Sequence, residues 1–419
     1  MSILLYRLFL KLYMAGIRLA AKNGNKAGKW LQGRKDVFKV MEGTLRQHEK
    51  RIWVHCASLG EFEQARPIIE KLKSQRPEYS IVLTFFSPSG YEVRKDYDQA
   101  DYVFYLPMDS ARNASRFLEL VQPVAAVWVK YEFWYYYLQT LHQRAIPTIL
   151  VSAAFRPSQP FFRWYGGLFR KMLGCYTHIF VQDASSQQLL AHIGIKNHVT
   201  AAGDTRYDRV AAIAAQAQDF PVAEAWKGQS RIFIAGSTWK DDEQLLKSAL
   251  HYMPADWKMI LAPHEIHEVH LQEIEALFAG MTVRYSQLKD PVDSLGRVLL
   301  IDNIGMLSSL YRLGDMAFVG GGFGSGIHNI LEPAVYGLPV FFGPNYTRFI
   351  EARTMVEKNL AFPVSNESEL KQHLVKLFGD TGGREKLSSE IKRFVQTQLG
   401  ATDKVLAFLY QILPIENAG

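Results

Sequence analysis

The chain has 419 residues, 48% hydrophobic and 21% charged, which is material for two or three domains with full cores. Aromatic residues at 13% and the lack of low-complexity tracts exclude a disordered chain, and two cysteines, Cys56 and Cys175, exclude a disulfide scaffold or an all-cysteine zinc site. Forty-eight basic residues against 41 acidic ones give +7, an excess that favours anionic partners but is not gathered, beyond the N-terminus, into the runs of a nucleic-acid binder.

The chain opens with MSILLYRLFLKLYMAGIRLA. Arg7 and Lys11 interrupt the apolar core that a signal peptide or a spanning helix requires. Their spacing with Arg18 places three cations on one helical face and Leu5, Leu8, Phe9, Leu12 and Leu19 on the other. That is the pattern of a helix lying in a membrane interface, and the basic run continues through Lys22, Lys26, Lys29, Arg34 and Lys35. An amphipathic helix packed on the body is the alternative.

Short apolar runs then alternate with helix-period segments. Strands are predicted over Ile52–Ala57, Ile81–Phe86, Tyr102–Leu106, Val124–Val129, Thr148–Ser152, His178–Gln182 and Val199–Ala202. A second series covers Ile232–Gly236, Lys258–Ala262, Thr282–Tyr285, Val298–Ile301, Ala317–Gly320 and Val340–Phe342. Between them lie helices such as Glu63–Gln75, striped by Ala65, Ile68, Ile69 and Leu72. Alternation of this kind means parallel sheets with right-handed crossovers, and so many strands divide better into two sheets. The Ala-rich stretch Asp208–Gln229 is the expected seam. The reading is a basic amphipathic segment over 1–35, one Rossmann-like domain over 36–210, a second over 211–400, and a C-terminal helix over 401–419 packing back on the first domain. The two Rossmann-like domains are expected to face a central cleft.

Several signatures are missing. There is no P-loop, no G-x-G-x-x-G after a strand and no nucleophile elbow. His264, His267 and His270 recur at i, i+3 rather than the i, i+4 of a zinc helix, so no metal is expected there and a solvated helix is the reading. Asp96-Tyr-Asp98 reads as a charged loop.

The informative sites follow strands. In Val54-His-Cys-Ala-Ser-Leu-Gly60-Glu61, a strand turns through Ser58 and Gly60 into a helix, and Glu61 at its start is placed as a general base for an acceptor hydroxyl. Glu132, after the strand VAAVWV, puts a second carboxylate at the same rim. Arg206, in Asp204-Thr-Arg206-Tyr-Asp208, is a candidate cation for the site. In the second half a glycine run, Gly320 to Gly326, leads to a helix expected to start near His328. Its free N–H groups would meet phosphate, and Glu332 would accept from ribose hydroxyls. Pro263, His264, Gly305 and Met306 end neighbouring strands and are placed to frame a base and phosphate. Close packing of the glycines and a capping role for Glu332 are the alternatives.

Together, Gly60-Glu-Phe62, Glu132-Phe-Trp134, Gly203-Asp-Thr-Arg-Tyr-Asp208, Gly236-Ser-Thr238 and His328-Asn-Ile-Leu-Glu-Pro-Ala334 resemble the 3-deoxy-D-manno-octulosonate (Kdo) transferases. These enzymes move Kdo from CMP-Kdo to the lipid A precursor (lipid IVA) of Gram-negative bacteria. The resemblance implies a GT-B fold, an inverting reaction without metal or cofactor, and a place on the cytoplasmic face of the inner membrane. It implies Glu61 as base, with Glu132 and Arg206 supporting the transition state. It also implies CMP contacts from Pro263 and His264, from Ile304, Gly305 and Met306, and from His328, Asn329, Ile330, Leu331 and Glu332. Two departures stand out: Ser152-Ala-Ala154 replaces the family's N-A-R, with Arg156 following, and Pro263 precedes His264 directly where an arginine commonly intervenes. A UDP-sugar transferase or 2-epimerase and a non-catalytic membrane adaptor are the rival readings.

Overall fold

A computed structural model describes residues 2–22, 24–288 and 296–413. It divides into two compact units, one running to Asp208 and resuming at Leu399, the other Arg209–Gln398. Each is built on a seven-stranded parallel sheet. In the first unit the strands are β1 (Lys50–Cys56), β2 (Tyr79–Phe85), β3 (Tyr102–Tyr105), β4 (Pro123–Val129), β5 (Thr148–Ala153), β6 (His178–Val181) and β7 (Val199–Ala201), in the order 3-2-1-4-5-6-7. The second unit contains β8 (Arg231–Thr238), β9 (Trp257–Pro263), β10 (Thr282–Arg284), β11 (Val298–Leu300), β12 (Met316–Val319), β13 (Val340–Phe342) and β14 (Ala361–Pro363), in the order 10-11-9-8-12-13-14.

Side chains alternate across each strand, so a parallel sheet covered on both faces makes two cores. Trp53, Val82, Ala126, Trp128 and Leu150 fill one face of the first sheet with Tyr6 and Leu10 of the N-terminal helix Ile3–Ala20. Ile52, Val54, Cys56, Leu83 and Val127 fill the other against Phe62, Ala65, Ile68, Ile69 and Leu72 of the helix Leu59–Gln75. The C-terminal helix Ala401–Ile412 joins that second core through Val405, Leu406 and Leu409. Asp208 fastens its start, accepting from the backbone N–H groups of Gly400 and Thr402, both at 2.6 Å. In the second unit Phe233, Ala235, Met259 and Leu261 face one core, and Ile232, Ile234 and Ile260 the other.

Four expectations are corrected. Residues 1–35 do not stand apart, because Tyr6, Leu10 and Trp30 are buried in the first unit, whose boundaries fall at 208 and 399. Strand β14 was not expected, and its three residues end in Pro363 at a sheet edge, where a missing N–H does no harm. No helix starts near His328. A single turn, Leu331–Ala334, begins three residues later. Finally, His270 is not on a solvated helix face but buried.

Candidate active site

In a doubly wound sheet the ligand crevice lies beyond the carboxyl ends of the strands, where the strand order reverses. In the first unit that point lies between β1 and β4, and in the second between β8 and β12.

Glu61 and Glu132 follow the two strands at the first of these points. Ser58 is the extended N-cap of the helix Leu59–Gln75, and its hydroxyl donates to the Glu61 carboxylate one turn on. Glu61 is half-buried at the positive end of the helix. Lys130 takes a left-handed φ of 63° just after β4 and turns the chain toward Glu132. Glu132 Oε2 accepts from Trp134 Nε1 at 2.6 Å and meets His55 Nε2 at 3.1 Å, while its carbonyl accepts from Tyr176 at 2.8 Å.

A chain of hydrogen bonds runs behind Glu132. An indole N–H only donates, so Trp53 Nε1 donates to Thr84 Oγ1 at 2.8 Å. His55 Nδ1 lies 2.9 Å from the Thr84 hydroxyl and 3.2 Å from the Thr84 carbonyl oxygen. Its other ring nitrogen, Nε2, faces Glu132. The fully buried imidazole is thus a strut that orients the carboxylate. None of Trp53, Thr84 and His55 was singled out from the sequence. Their meeting depends on the register of β1 against β2, which pairs His55 with Thr84.

Arg206 lies in the same unit. Its guanidinium holds the buried Asp204 carboxylate, with Nη2 at 2.7 Å and Nε at 3.0 Å from Oδ2. Gln182 donates to the same oxygen at 2.9 Å, and Gln64 reaches the carboxylate at 3.3 Å. Burial pushes the Asp204 carboxyl up, but the Arg206 charge and hydrogen bonds, aided by Lys130, outweigh it and hold the group below the usual range. Arg206 is therefore an anchored cation.

In the second unit the glycine run packs tightly. A Cβ on Gly320 would sit 2.2 Å from the Ser237 carbonyl oxygen, and one on Gly322 would sit 2.5 Å from the Gly343 nitrogen. Gly321 has a φ of 89° and donates its N–H to Asp242 Oδ2 at 2.9 Å, as does Trp239. Burial pushes the Asp242 carboxyl up to about 6. Its neighbour Glu243, also buried, accepts from Thr238 at 3.1 Å and pairs with His270 Nε2 at 3.0 Å, which explains why that histidine turns inward. Among the described residues no cluster of three or more His, Cys, Asp or Glu is placed to hold a metal.

Three rings gather where the strand order reverses. His264, just past β9, stacks on Trp239 at 4.7 Å and on His328 at 4.4 Å. Trp239 Nε1 donates to His328 Nε2 at 3.0 Å, so the His328 proton sits on Nδ1. Burial, with the His264 charge, pushes His328 down to about 4 and keeps it neutral. A cavity of about 470 Å³, walled by Trp239, Asp242, His270, Gly321 and Phe323, adjoins them. Asn329 caps the short turn, accepting from Leu331 N at 3.2 Å and donating to Glu332 at 3.1 Å. The helix expected to present its free N–H groups from near His328 is a turn of four residues whose Leu331 N–H is already taken. Pro263 ends β9, and Ile330 and Leu331 are buried. Ile304 is exposed, Gly305 takes a φ of 89°, and Met306 is half-buried in the loop after β11.

Residues 32–209 match a family model described as 3-Deoxy-D-manno-octulosonic-acid transferase (kdotransferase). A 3-deoxy-D-manno-octulosonic acid transferase of Aquifex aeolicus is 29% identical over 344 residues, covering 80% of this chain and 88% of the relative. One from Haemophilus influenzae is 28% identical over 372 residues, covering 85% and 86%. Among solved structures, UDP-GlcNAc 2-epimerase from Neisseria meningitidis bound to UDP-GlcNAc is similar with a TM-score of 0.59 at 14% identity, covering 86% of this chain and 100% of that one. The calicheamicin glycosyltransferase CalG4 gives 0.55 at 12% identity, covering 88% and 100%. With the two parallel sheets, these likenesses make the fold GT-B.

Proposed function

Because the chain belongs to the Kdo transferase family and is a glycosyltransferase of lipopolysaccharide biosynthesis, we propose that it moves Kdo from CMP-Kdo to a hydroxyl of the lipid A precursor, with inversion and without a metal. The observation that carries this reading is Glu61. It is a carboxylate held by Ser58 on a helix start, beside the reversal of strand order and within the segment the family model matches.

The acceptor O–H bond breaks and its proton passes to Glu61. The freed oxygen bonds to the anomeric carbon of Kdo as the bond from that carbon to the phosphate oxygen breaks. The electron pair leaves with CMP. A single displacement of this kind inverts the carbon. Glu132, oriented by the chain from Trp53 through Thr84 and His55, stabilises positive charge developing on the sugar. Arg206 supplies a fixed cation. CMP contacts fall to Pro263 and His264, to Ile304–Met306 and to His328–Glu332, where the Nδ1–H of neutral His328 is a ready donor. The exposed face of the N-terminal helix, Leu5, Leu8, Phe9, Leu12 and Leu19, rests on the membrane surface, although no described helix is long and apolar enough to cross it.

Glu61→Gln keeps the shape and removes the base. Transfer should fall by about 10²–10⁴ while CMP affinity in calorimetry stays near wild type. Near-wild-type transfer would sink the assignment of the base. Loss of wild-type transfer in EDTA would sink the metal-free mechanism.

A further inference from the structure

Two cavities of the first unit flank the N-terminal helix. One, of about 430 Å³, is walled by the rings of Tyr6, Phe9, Phe133, Trp134, Phe161 and Phe169, and Glu132 is its one charged lining residue. Phe161 is buried and packs edge-on against Phe133 at 4.7 Å and Phe169 at 5.5 Å, so the wall is firm. The other, of about 580 Å³, takes Arg7, Lys11 and Arg18 from the same helix, with Asp109 and Ser110 across from them.

We propose that the aromatic cavity holds one acyl chain of the acylated, anionic acceptor, whose phosphate lies toward the basic flank of the helix. The proposal rests on the acceptor reading above. Three observations carry it. A cavity of this size with aromatic walls takes an apolar ligand and gains by excluding water. It shares Glu132 with the proposed reaction centre, so a chain seated there belongs to a molecule whose polar end reaches the carboxylates. The three cations on the other flank outnumber its one carboxylate, Asp109, which is bonded to Tyr6, and they complement a phosphate. Two tracts continue its apolar lining. Leu5, Leu8 and Leu12 of the same helix are 51–63% exposed, and Trp164, on the segment that supplies Phe161 and Phe169, is 92% exposed.

The test has two arms. In the first, kcat/KM is compared for the acylated lipid A precursor and its deacylated form. Phe9 is 55% exposed, so Phe9→Glu tests the cavity mouth with little risk to folding. The preference for the acylated form should fall about tenfold in that variant. Phe169→Trp, which fills the cavity, should lower it in the same direction. An unchanged preference in both overturns the proposal. In the second arm, dodecyl phosphate brominated at the chain end should quench Trp134 saturably, with Trp134→Phe isolating that residue among eight tryptophans. Phe9→Glu should weaken this binding about tenfold. Quenching that does not saturate, or is indifferent to Phe9→Glu, overturns the proposal. Saturable quenching with an unchanged acyl preference would assign the cavity to a membrane lipid and overturn it too. If wild type turns over neither acceptor, the acceptor reading fails by itself and the quenching arm decides the cavity.

Discussion

Tyr6→Phe should loosen the N-terminal helix, and do so more at neutral pH than in mild acid. The Tyr6 hydroxyl donates to Asp109 Oδ2 at 2.6 Å, and both residues are buried. Asp109 also accepts from the N–H groups of Tyr136 and Tyr137, each at 3.1 Å. Removing a donor from a buried, charged acceptor costs about 2 kcal/mol, a roughly 30-fold rise in local opening. Burial raises the Asp109 carboxyl to about 6, against the pull of those hydrogen bonds. A carboxyl raised in the folded state adds stability that is full below its ordinary value of 3.8 and lost as pH rises through about 6. In the wild type about 1.4 kcal/mol of it is present at pH ~5 and almost none at pH ~7.5. At pH ~5 the carboxyl is mostly neutral, so the lost hydrogen bond is worth only about 1 kcal/mol, or fivefold. Hydrogen exchange over the helix Ile3–Ala20, corrected for intrinsic rates, reads both numbers. An unchanged protection at neutral pH, or an equal loss at both pH values, would refute the reasoning.

Gly320→Ala should destabilise the second unit by about 2–3 kcal/mol in denaturant melts, since its Cβ meets the Ser237 carbonyl at 2.2 Å. Gly324→Ala, whose nearest contact is 3.8 Å away, should cost less than about 0.5 kcal/mol. His270→Ala strands the buried Glu243 carboxylate and should cost about 3 kcal/mol, with His270→Gln recovering part of it. His328 should stay neutral in an NMR titration until about pH 4, and a midpoint in the ordinary histidine range would contradict its half-buried, indole-bonded setting.

Buried parallel strands read as short apolar runs, so thirteen of the strands were legible as such. Glu61 and Glu132 were legible because each follows a strand, and the carboxyl ends of strands are where such sheets bind. The strut behind Glu132 was not, because Trp53, His55 and Thr84 look like ordinary strand residues until the pairing of β1 with β2 joins them. The helix expected at His328 failed for a local reason. Asn329 takes the first free N–H, Pro333 has none, and β13 begins at Val340, which leaves room for one turn. The inward turn of His270 depends on Glu243, 27 residues earlier in the chain, which no local spacing reveals.

The most direct test is transfer by the purified full chain to the lipid A precursor, offered CMP-Kdo and UDP-GlcNAc in separate reactions with EDTA present and read by mass spectrometry. The account predicts Kdo-bearing product from CMP-Kdo alone, lost in Glu61→Gln. Product from UDP-GlcNAc, or none from CMP-Kdo, would contradict it.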